Sequence, residues 1–185
     1  AQLRRGVPAD VVIMSREGLD ELIAEGRIVK GSDVNLAQTP TGVGVRMGAP
    51  MPDIRTVEAF KQTLLRAKSV AFPTSTTGIY LVTTLFPRLG IAEALARKSS
   101  NLDAAAVGRG EAEIAIRPAS EILNVPGVAY VGPIPADAQF ISVFSGATVA
   151  GSTAGDAAGR LIAFLASDVA ATAIMKAGME RPKAH

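Results

Sequence analysis

The sequence repeats one local pattern: a short apolar run rich in β-branched residues, a polar turn, and then apolar residues at helical spacing. Residues 9–14 form such a run, and Ser15 follows at the position of a helix N-cap. Apolar residues recur at helical spacing over residues 19–23, and Gly26 supplies a stop signal. This segment therefore predicts a strand, a tight turn and a helix within twenty residues.

The pattern returns twice further along the chain. Residues 69–72 predict a strand, residues 73–77 a polar turn and residues 78–89 a helix. Residues 113–116 predict a third strand, and residues 119–123 have a helix-like composition. Strands that alternate with helices favour the α/β class, with mostly parallel sheets that are flanked by helices.

Two extended segments, residues 41–47 and residues 140–149, break this alternation. One interpretation makes them two further sheet strands. The other makes them crossover strands that link two lobes, and it divides the chain into lobe 1 (residues 1–44 and 145–185) and lobe 2 (residues 45–144). We adopt the second interpretation as the prediction.

Charge and hydropathy exclude several classes of protein. The chain has 19 basic and 17 acidic residues, a net charge of +2, and no run of Lys and Arg. Nucleic-acid binding normally requires a basic stripe with aromatic side chains beside it, so nucleic acid is not an expected partner. No apolar run is long enough to span a bilayer. We expect any export signal to lie outside the sequence considered, which begins at Ala1.

The chain has little catalytic chemistry available. It contains no Cys, and its single His is the terminal His185. This argues against His-based acid–base catalysis, a Ser-His-Asp triad and a zinc site. No phosphate-binding loop or dinucleotide-binding glycine motif is present. Glu111 and Glu113 are close in sequence, but we interpret them as part of a solvated turn. We therefore expect no catalytic residue, no metal and no cofactor.

The strongest candidate site is the start of the helix after residue 73, where four hydroxyl residues stand in a row. Ser75, Thr76 and Thr77 offer side-chain donors there, and Gly78 would let a ligand approach the backbone. A helix N-terminus carries unpaired N–H groups and the positive end of the helix dipole, which suits an anion. The alternative is plain N-capping, for which one hydroxyl suffices.

Arg117 and Ser15 are two further candidates. Arg117 follows an apolar strand, at the edge where open α/β sheets bind ligands, and its planar fork would suit a carboxylate or another oxyanion. The alternative is an Arg that pairs with Glu121 across one turn. Ser15 also lies at a strand-to-helix turn, where most serines are only caps.

In their order along the chain, these motifs resemble the molybdate-type substrate-binding proteins of ABC importers. The resemblance is carried by Pro-Ala-Asp-Val-Val-Ile-Met-Ser (residues 8–15), by Thr-Thr-Gly-Ile-Tyr (residues 76–80), and by Arg-Gly-Glu-Ala-Glu-Ile-Ala-Ile (residues 109–116). It covers nearly the whole chain. Each motif is weak alone, and their order and spacing make the case.

The resemblance implies a two-lobed, type II periplasmic-binding fold that holds an anion in a cleft through hydroxyls and backbone amides at helix starts. Ser15 and Thr77 match backbone-amide ligand positions. The family's ligand Tyr falls at Pro118, with Arg117 beside it, which argues against molybdate and for an organic carboxylate or another oxyanion.

Two further departures concern length. The family's first strand-helix unit would precede Ala1, so that lobe 1 is expected to be incomplete here although the physical protein has those residues. Between Lys98 and Leu102 the family has a longer stretch with a strand, which suggests residues missing near Ser100.

The predicted function is that of a periplasmic, monomeric receptor that captures a small anion, either a molybdate-like oxyanion or an organic carboxylate, and delivers it to an ABC-importer permease. One alternative is an effector-sensing domain of a transcription regulator, which would require a DNA-binding segment upstream. Another is a lyase similar to prephenate dehydratase, which the lack of an internal His or any Cys disfavours. We therefore predict that the protein is not an enzyme.

Overall fold

A computed structural model describes residues 2–182 and divides the chain into two compact units. Unit 1 comprises Ala1–Gln38 and Val143–His185, and unit 2 comprises Thr39–Ser142. The chain passes between the units in two strands, in agreement with the predicted crossover segments. The lobe boundaries predicted at residues 44 and 145 stay a prediction.

The elements follow the predicted alternation of strands and helices. In chain order the strands and α-helices are β1 (Val11–Ser15), α1 (Arg16–Ala24), β2 (Val34–Arg46), α2 (Val57–Arg66), β3 (Val70–Ala71), α3 (Thr76–Tyr80), α4 (Phe86–Leu89), α5 (Ala92–Ala96), β4 (Ser99–Ser100), α6 (Ala104–Gly108), β5 (Ile114–Pro118), β6 (Val128–Pro133), β7 (Ile141–Thr148), α7 (Gly155–Leu165) and α8 (Asp168–Lys176). A π-helical segment (Leu81–Leu85) joins α3 to α4. The predicted helix at residues 119–123 is only a 3-10 turn (Ala119–Glu121).

Unit 1 is built on an antiparallel pair of strands. In this pair β1 runs against β7, with Val11 opposite Thr148 and Ser15 opposite Phe144. Helix α1 begins where predicted, because the Ser15 side chain accepts a hydrogen bond from the Gly18 amide. The apolar side of α1 packs on the strands in a small core that contains Leu19, Leu22, Ile28 and Ala147.

Unit 2 contains a sheet with the strand order β6-β2-β5-β3-β4. Strand β3 is parallel to both β5 and β4, whereas β2 is antiparallel to β5 and to β6. The α/β class and the two crossover strands are confirmed, but the prediction of mostly parallel sheets is wrong. The pairing is mixed because the crossover strand β2 runs opposite to both of its neighbours in unit 2.

The two faces of the unit 2 sheet carry different side chains. Val70, Ile114 and Ile116 contribute to the larger core, together with apolar residues of α2 and of the helix that starts at Thr76. Ala71 and Ala115 lie in a smaller cluster with residues of α6. Successive residues of a strand point to opposite faces, so the sequence Val-Ala and Ile-Ala-Ile produces this division.

Residues 76–89 form one helical run, as predicted but starting two residues earlier. The π-helical segment ends immediately before Phe86 and Pro87. Proline has no backbone N–H and cannot donate to the carbonyl four residues back, so the regular α-helical ladder is interrupted there. The run ends at Gly90, whose φ of 68° is in the left-handed region that glycine adopts without strain.

The stretch near Ser100 forms a strand in its own right. Ser99 and Ser100 lie opposite Val70 and Ala71 in parallel pairing, so this part of the sheet is continuous as the sequence stands. Among the described residues, no single helix has the length and apolar composition to cross a membrane; α7 and α8 pass that test only as a pair, with a bend of 65° between them.

Candidate functional site

Five of the six predicted site residues lie in unit 2, and Ser15 lies in unit 1. Ser75, Thr76, Thr77 and Gly78 follow β3, and Arg117 lies at the end of β5. Because β3 and β5 are parallel neighbours, their carboxyl ends meet at the same edge of the sheet. Helix α3 contacts β5. This edge is where open α/β sheets usually bind ligands.

The start of α3 is not capped by a side chain. Ser75 occupies the N-cap position with an extended backbone, but its hydroxyl makes no capping hydrogen bond. The first intrahelical bond runs from the Ile79 amide to the Ser75 carbonyl. Within the part of the chain that the structure describes, the amides of Thr77 and Gly78 have no hydrogen-bond acceptor. Such amides are the donors that an anion needs at a helix N-terminus.

The hydroxyl of Thr77 is buried and makes a hydrogen bond within unit 2. Thr77 is 1% exposed, and its Oγ1 lies 3.1 Å from Oγ of Ser142, which is also buried. One helical turn later, the Tyr80 hydroxyl donates to the Ala138 carbonyl, and the Tyr80 ring stacks on Phe140. The first turn of the helix is therefore attached to the segment that leads into β7.

Sequence reasoning missed Ser142 as a partner of the site. Its position in an extended, alternating segment was visible, but the residue stands 65 positions after Thr77. A hydrogen bond between two hydroxyls at that separation leaves no local pattern. Only the folded chain reveals the pair.

Residue 78 must be glycine because the neighbouring backbone leaves no room for a side chain. A Cβ at this position would lie 1.6 Å from the carbonyl oxygen of Pro73, which approaches the helix backbone there. The sequence suggested that this glycine leaves room for a ligand. In the structure, the room is taken by the Pro73 carbonyl, and Gly78 offers its amide alone.

Arg117 forms the ion pair that was weighed as the alternative to ligand binding. Its Nε donates to Oε2 of Glu121 at 2.8 Å, and its Nη1 donates to the Leu102 carbonyl at 2.9 Å. The side chain is only 13% exposed. Among the described residues, Nη2 has no hydrogen-bond partner. One amino group therefore stays open to a ligand, and the ligand-binding role of Arg117 stays a prediction.

Ser15 is the N-cap of α1, with its Oγ 3.4 Å from the Gly18 amide. Capping accounts for the hydroxyl, so any ligand contact would have to come from the backbone. That contact, which the resemblance implied, stays a prediction.

The carboxylates of the described residues form no evident catalytic pair. Arg109 binds Glu111 at 2.6 Å, and the hydrogen bond from its guanidinium lowers the pKa of that carboxyl. Glu113 accepts a hydrogen bond from the Lys68 amide. Across residues 2–182, no three His, Cys, Asp or Glu side chains are grouped so that they could hold a metal ion. His185 lies outside the described residues.

The fold matches that of solved periplasmic binding proteins. The molybdate-binding protein of Azotobacter vinelandii superimposes with a TM-score of 0.73 at 17% identity, over 98% of this chain and 82% of that one. The sulfate-binding protein of Mycobacterium tuberculosis gives a TM-score of 0.73 at 19% identity, over 97% of this chain and 71% of that one. The periplasmic-binding-protein fold class inferred from the sequence motifs is thereby confirmed.

The chain belongs to the family of bacterial extracellular solute-binding proteins, whose model matches residues 1–180. A relative with higher sequence identity is named as an enzyme and not as a binding protein. An aconitate isomerase from a Pseudomonas species is 43% identical over 183 residues, which are 97% of this chain and 70% of that protein.

Proposed function

We propose that the chain is the ligand-binding part of a periplasmic receptor that captures a small organic polycarboxylate and delivers it to an ABC importer. The observation that carries this proposal is the uncapped helix start, where the Thr77 and Gly78 amides point to no acceptor within the described residues. Two fixed amides at the positive end of a helix dipole suit one carboxylate group.

Two observations favour a carboxylate over molybdate. The family's ligand Tyr is replaced by Pro118, beside an Arg whose Nη2 is open. Nε and Nη1 are used within the protein, and the remaining Nη2 can donate a charge-assisted hydrogen bond to one carboxylate oxygen. In addition, the 43% identical relative is named for aconitate, which is a tricarboxylate. We therefore name aconitate as the first ligand to test.

Each candidate residue has a separate role in this proposal. The amides of Thr77 and Gly78 bind one carboxylate, and the hydroxyls of Ser75 and Thr76 add donors beside them. Nη2 of Arg117 binds a second carboxylate, while Glu121 and the Leu102 carbonyl hold the guanidinium in place.

The second candidate is isomerisation of the same ligand, which the name of the relative favours. Interconverting the two aconitate isomers by a proton shift requires a group that removes a proton from one carbon and returns it to another. The chain has no Cys and no internal His, so a carboxylate, a Lys amine or a hydroxyl would have to do this. The receptor and the isomerase share one ligand, and turnover separates them.

The test is titration calorimetry with cis-aconitate, trans-aconitate, citrate, molybdate and sulfate, followed by proton NMR of each aconitate isomer incubated with the protein. We expect micromolar binding of an aconitate and none of molybdate. Binding of molybdate alone, or of no anion in the panel, would overturn the carboxylate proposal. A changing ratio of the isomers in D2O would establish the second candidate, and a constant ratio would exclude it.

The matched variants are Arg117→Ala and Arg109→Ala. Removing a charged hydrogen-bond donor from a ligand costs about 1.5–3 kcal/mol, or roughly 10- to 150-fold in affinity. We expect that loss for Arg117→Ala. Arg109 is exposed and pairs with Glu111, so its removal should leave the affinity unchanged. Equal affinities for the two variants would remove Arg117 from the site.

A further inference from the structure

The buried hydroxyl pair of Thr77 and Ser142 joins two features of unit 2 that the proposed function treats separately. One is the start of the helix at residues 76–89, and the other is the first part of β7. The two oxygens lie 3.1 Å apart, and both residues are largely shielded from water, at 1% and 6% exposure. Buried hydroxyls are normally hydrogen-bonded, and in this pair one hydroxyl donates to the other, so that each oxygen has a partner.

The pair constrains the backbone of Thr77. Threonine is β-branched, so its side chain has few χ1 choices, and a fixed Oγ1 leaves the adjacent main chain little freedom. The amide of the same residue is one of the two donors at the start of α3 that have no acceptor within residues 2–182. Holding Oγ1 therefore also holds that N–H in its orientation.

A second contact supports the same first turn. Tyr80 lies three residues after Thr77, on the same side of the helix, and its hydroxyl donates to the Ala138 carbonyl at 3.0 Å. Its ring stacks on Phe140 with a centroid distance of 5.0 Å. Both contacts reach the segment of residues 138–142, so the helix start and this segment form one packed piece.

Ser142 has a particular place in the chain. It is the last residue of unit 2 before the chain enters unit 1, and it belongs to β7. Three residues later Ser145 lies opposite Met14 of β1, inside unit 1. The Thr77–Ser142 bond therefore attaches the proposed anion-binding turn directly to one of the two strands through which the chain passes between units.

We infer that Ser142 is a positioning residue for the anion site, because it holds the Thr77 amide in its ligand-binding orientation and links that amide to the crossover strand β7. Ser142 does not touch the ligand and acts only through Thr77. The ligand arm of the test below rests on the proposed function, whereas the ligand-free arm does not.

The ligand-free arm is hydrogen exchange, followed by mass spectrometry, of the amides of Ile79, Tyr80 and Leu81, which report opening of the first helical turn. Losing one neutral hydrogen bond weakens a local structure by about 0.5–1.5 kcal/mol, equivalent to roughly 2- to 10-fold faster exchange. We expect that acceleration in Ser142→Ala and in Thr77→Val. The double variant should be no faster than either single one, because both remove the same bond.

Two controls separate positioning from general loosening. Ser145→Ala removes another buried hydroxyl of β7, which bonds Asn35 instead, and should leave exchange of the helix start unchanged. Thr77→Ser keeps the hydroxyl and should restore slow exchange. Unchanged exchange in Ser142→Ala, or an equal acceleration in Ser145→Ala, would overturn the inference whether or not any ligand binds.

The ligand arm uses trans-aconitate and calorimetry. Ser142→Ala and Thr77→Val should each weaken binding by several-fold, non-additively, while Ser145→Ala binds like the wild type. With trans-aconitate bound to the wild type, protection from exchange should extend into residues 143–148, and Ser142→Ala should lose this extension. If affinities of Ser142→Ala and wild type are equal, the positioning role is wrong. If the wild type does not bind, the proposed ligand fails, and the ligand-free arm still decides the role of Ser142.

Discussion

At the scale of single residues, the candidate site depends on the close approach of the Pro73 carbonyl oxygen to Gly78. Pro73 and Gly78 bracket the four hydroxyl residues, and the Pro73 oxygen lies where a Gly78 Cβ would be. The hydroxyl residues therefore lie on a turn whose backbone conformation depends on the close contact between Pro73 and Gly78. A side chain at residue 78 must push the turn away from the helix.

Replacement of Gly78 by Ala should therefore destabilise the protein. Overpacking of this kind costs about 1–3 kcal/mol, and we expect the upper part of that range because the clash is with backbone. Urea unfolding measures it. Gly159→Ala is the matched control: it lies in α7 with nothing within 4 Å of its Cβ, so it should stabilise by about 0.5–1 kcal/mol. Two variants of equal stability would contradict the assigned contact.

Ser100 is a residue that costs stability. Its Oγ is buried, and no hydrogen-bond partner exists for it in the described part of the chain. An unsatisfied buried hydroxyl costs about 1–3 kcal/mol, so Ser100→Ala should raise the free energy of unfolding by about 1 kcal/mol. The neighbouring Ser99 donates to the Leu95 carbonyl, and Ser99→Ala should lower it by a similar amount. A loss of stability in Ser100→Ala would show that its hydroxyl has a partner.

At the scale of elements, two helices of unit 2 begin in different ways. Helix α2 begins with Thr56, whose Oγ1 accepts from the Ala59 amide at 3.1 Å. Helix α3 begins with Ser75, whose side chain makes no such bond. The first arrangement satisfies a donor of the helix, and the second leaves the Thr77 and Gly78 amides without an acceptor among the described residues. The same residue types thus serve stability in one helix and the proposed site in the other.

This contrast predicts opposite effects of two similar substitutions. Thr56→Ala should lower the free energy of unfolding by about 1 kcal/mol through the lost cap, with no effect on ligand affinity. Ser75→Ala should change stability by less than about 0.5 kcal/mol and should weaken anion binding. Thermal unfolding and calorimetry on both variants make the comparison. A large stability loss in Ser75→Ala would mean that its hydroxyl caps the helix after all.

At the scale of the whole molecule, most of the groups that affect folding titrate at acid pH, and few titrate near neutrality. Arg residues pair with exposed carboxylates in both units. Hydrogen bonds from the Arg55 guanidinium lower the pKa of Asp53 to about 2, from an ordinary value of 3.8. Hydrogen bonds from Arg4 likewise lower the pKa of Glu25. The chain has no Cys and no His before residue 185, so few groups titrate near neutrality.

Stability should therefore be nearly constant between about pH 6 and 8 and should fall on acidification. A carboxyl whose pKa is lower in the folded state stabilises the fold above its unfolded pKa, and this contribution is lost as the pH falls. For Asp53 the loss should occur between about pH 4 and pH 2. Asp53→Asn should flatten that part of the curve, and salt should do so too by screening. A strong pH dependence at neutrality would contradict this assignment.

Local sequence was sufficient for several of the elements and for showing which acid–base groups the chain contains. Strand β1 and helix α1 were predicted from apolar spacing and from Ser15 and Gly26 at the ends of the helix, because such signals act within a few residues. The alternation of strands and helices predicted the α/β class, and two extended segments predicted the crossover strands. The composition showed that the chain has no Cys and no internal His for acid–base chemistry. The family resemblance added the periplasmic-binding-protein fold, which the comparison with solved structures confirms.

The tertiary structure decided what depends on distant parts of the chain. Three features depend on segments that only folding brings together: the antiparallel direction of β2 relative to β5, the Thr77–Ser142 hydrogen bond, and the hydrogen bond from Arg117 to the Leu102 carbonyl. Periodicity reports which face of an element is apolar, and it carries no information about the direction of a neighbouring strand or the partner of a hydroxyl. Those are set by packing, in which each buried polar group must find an acceptor or donor wherever the chain provides one.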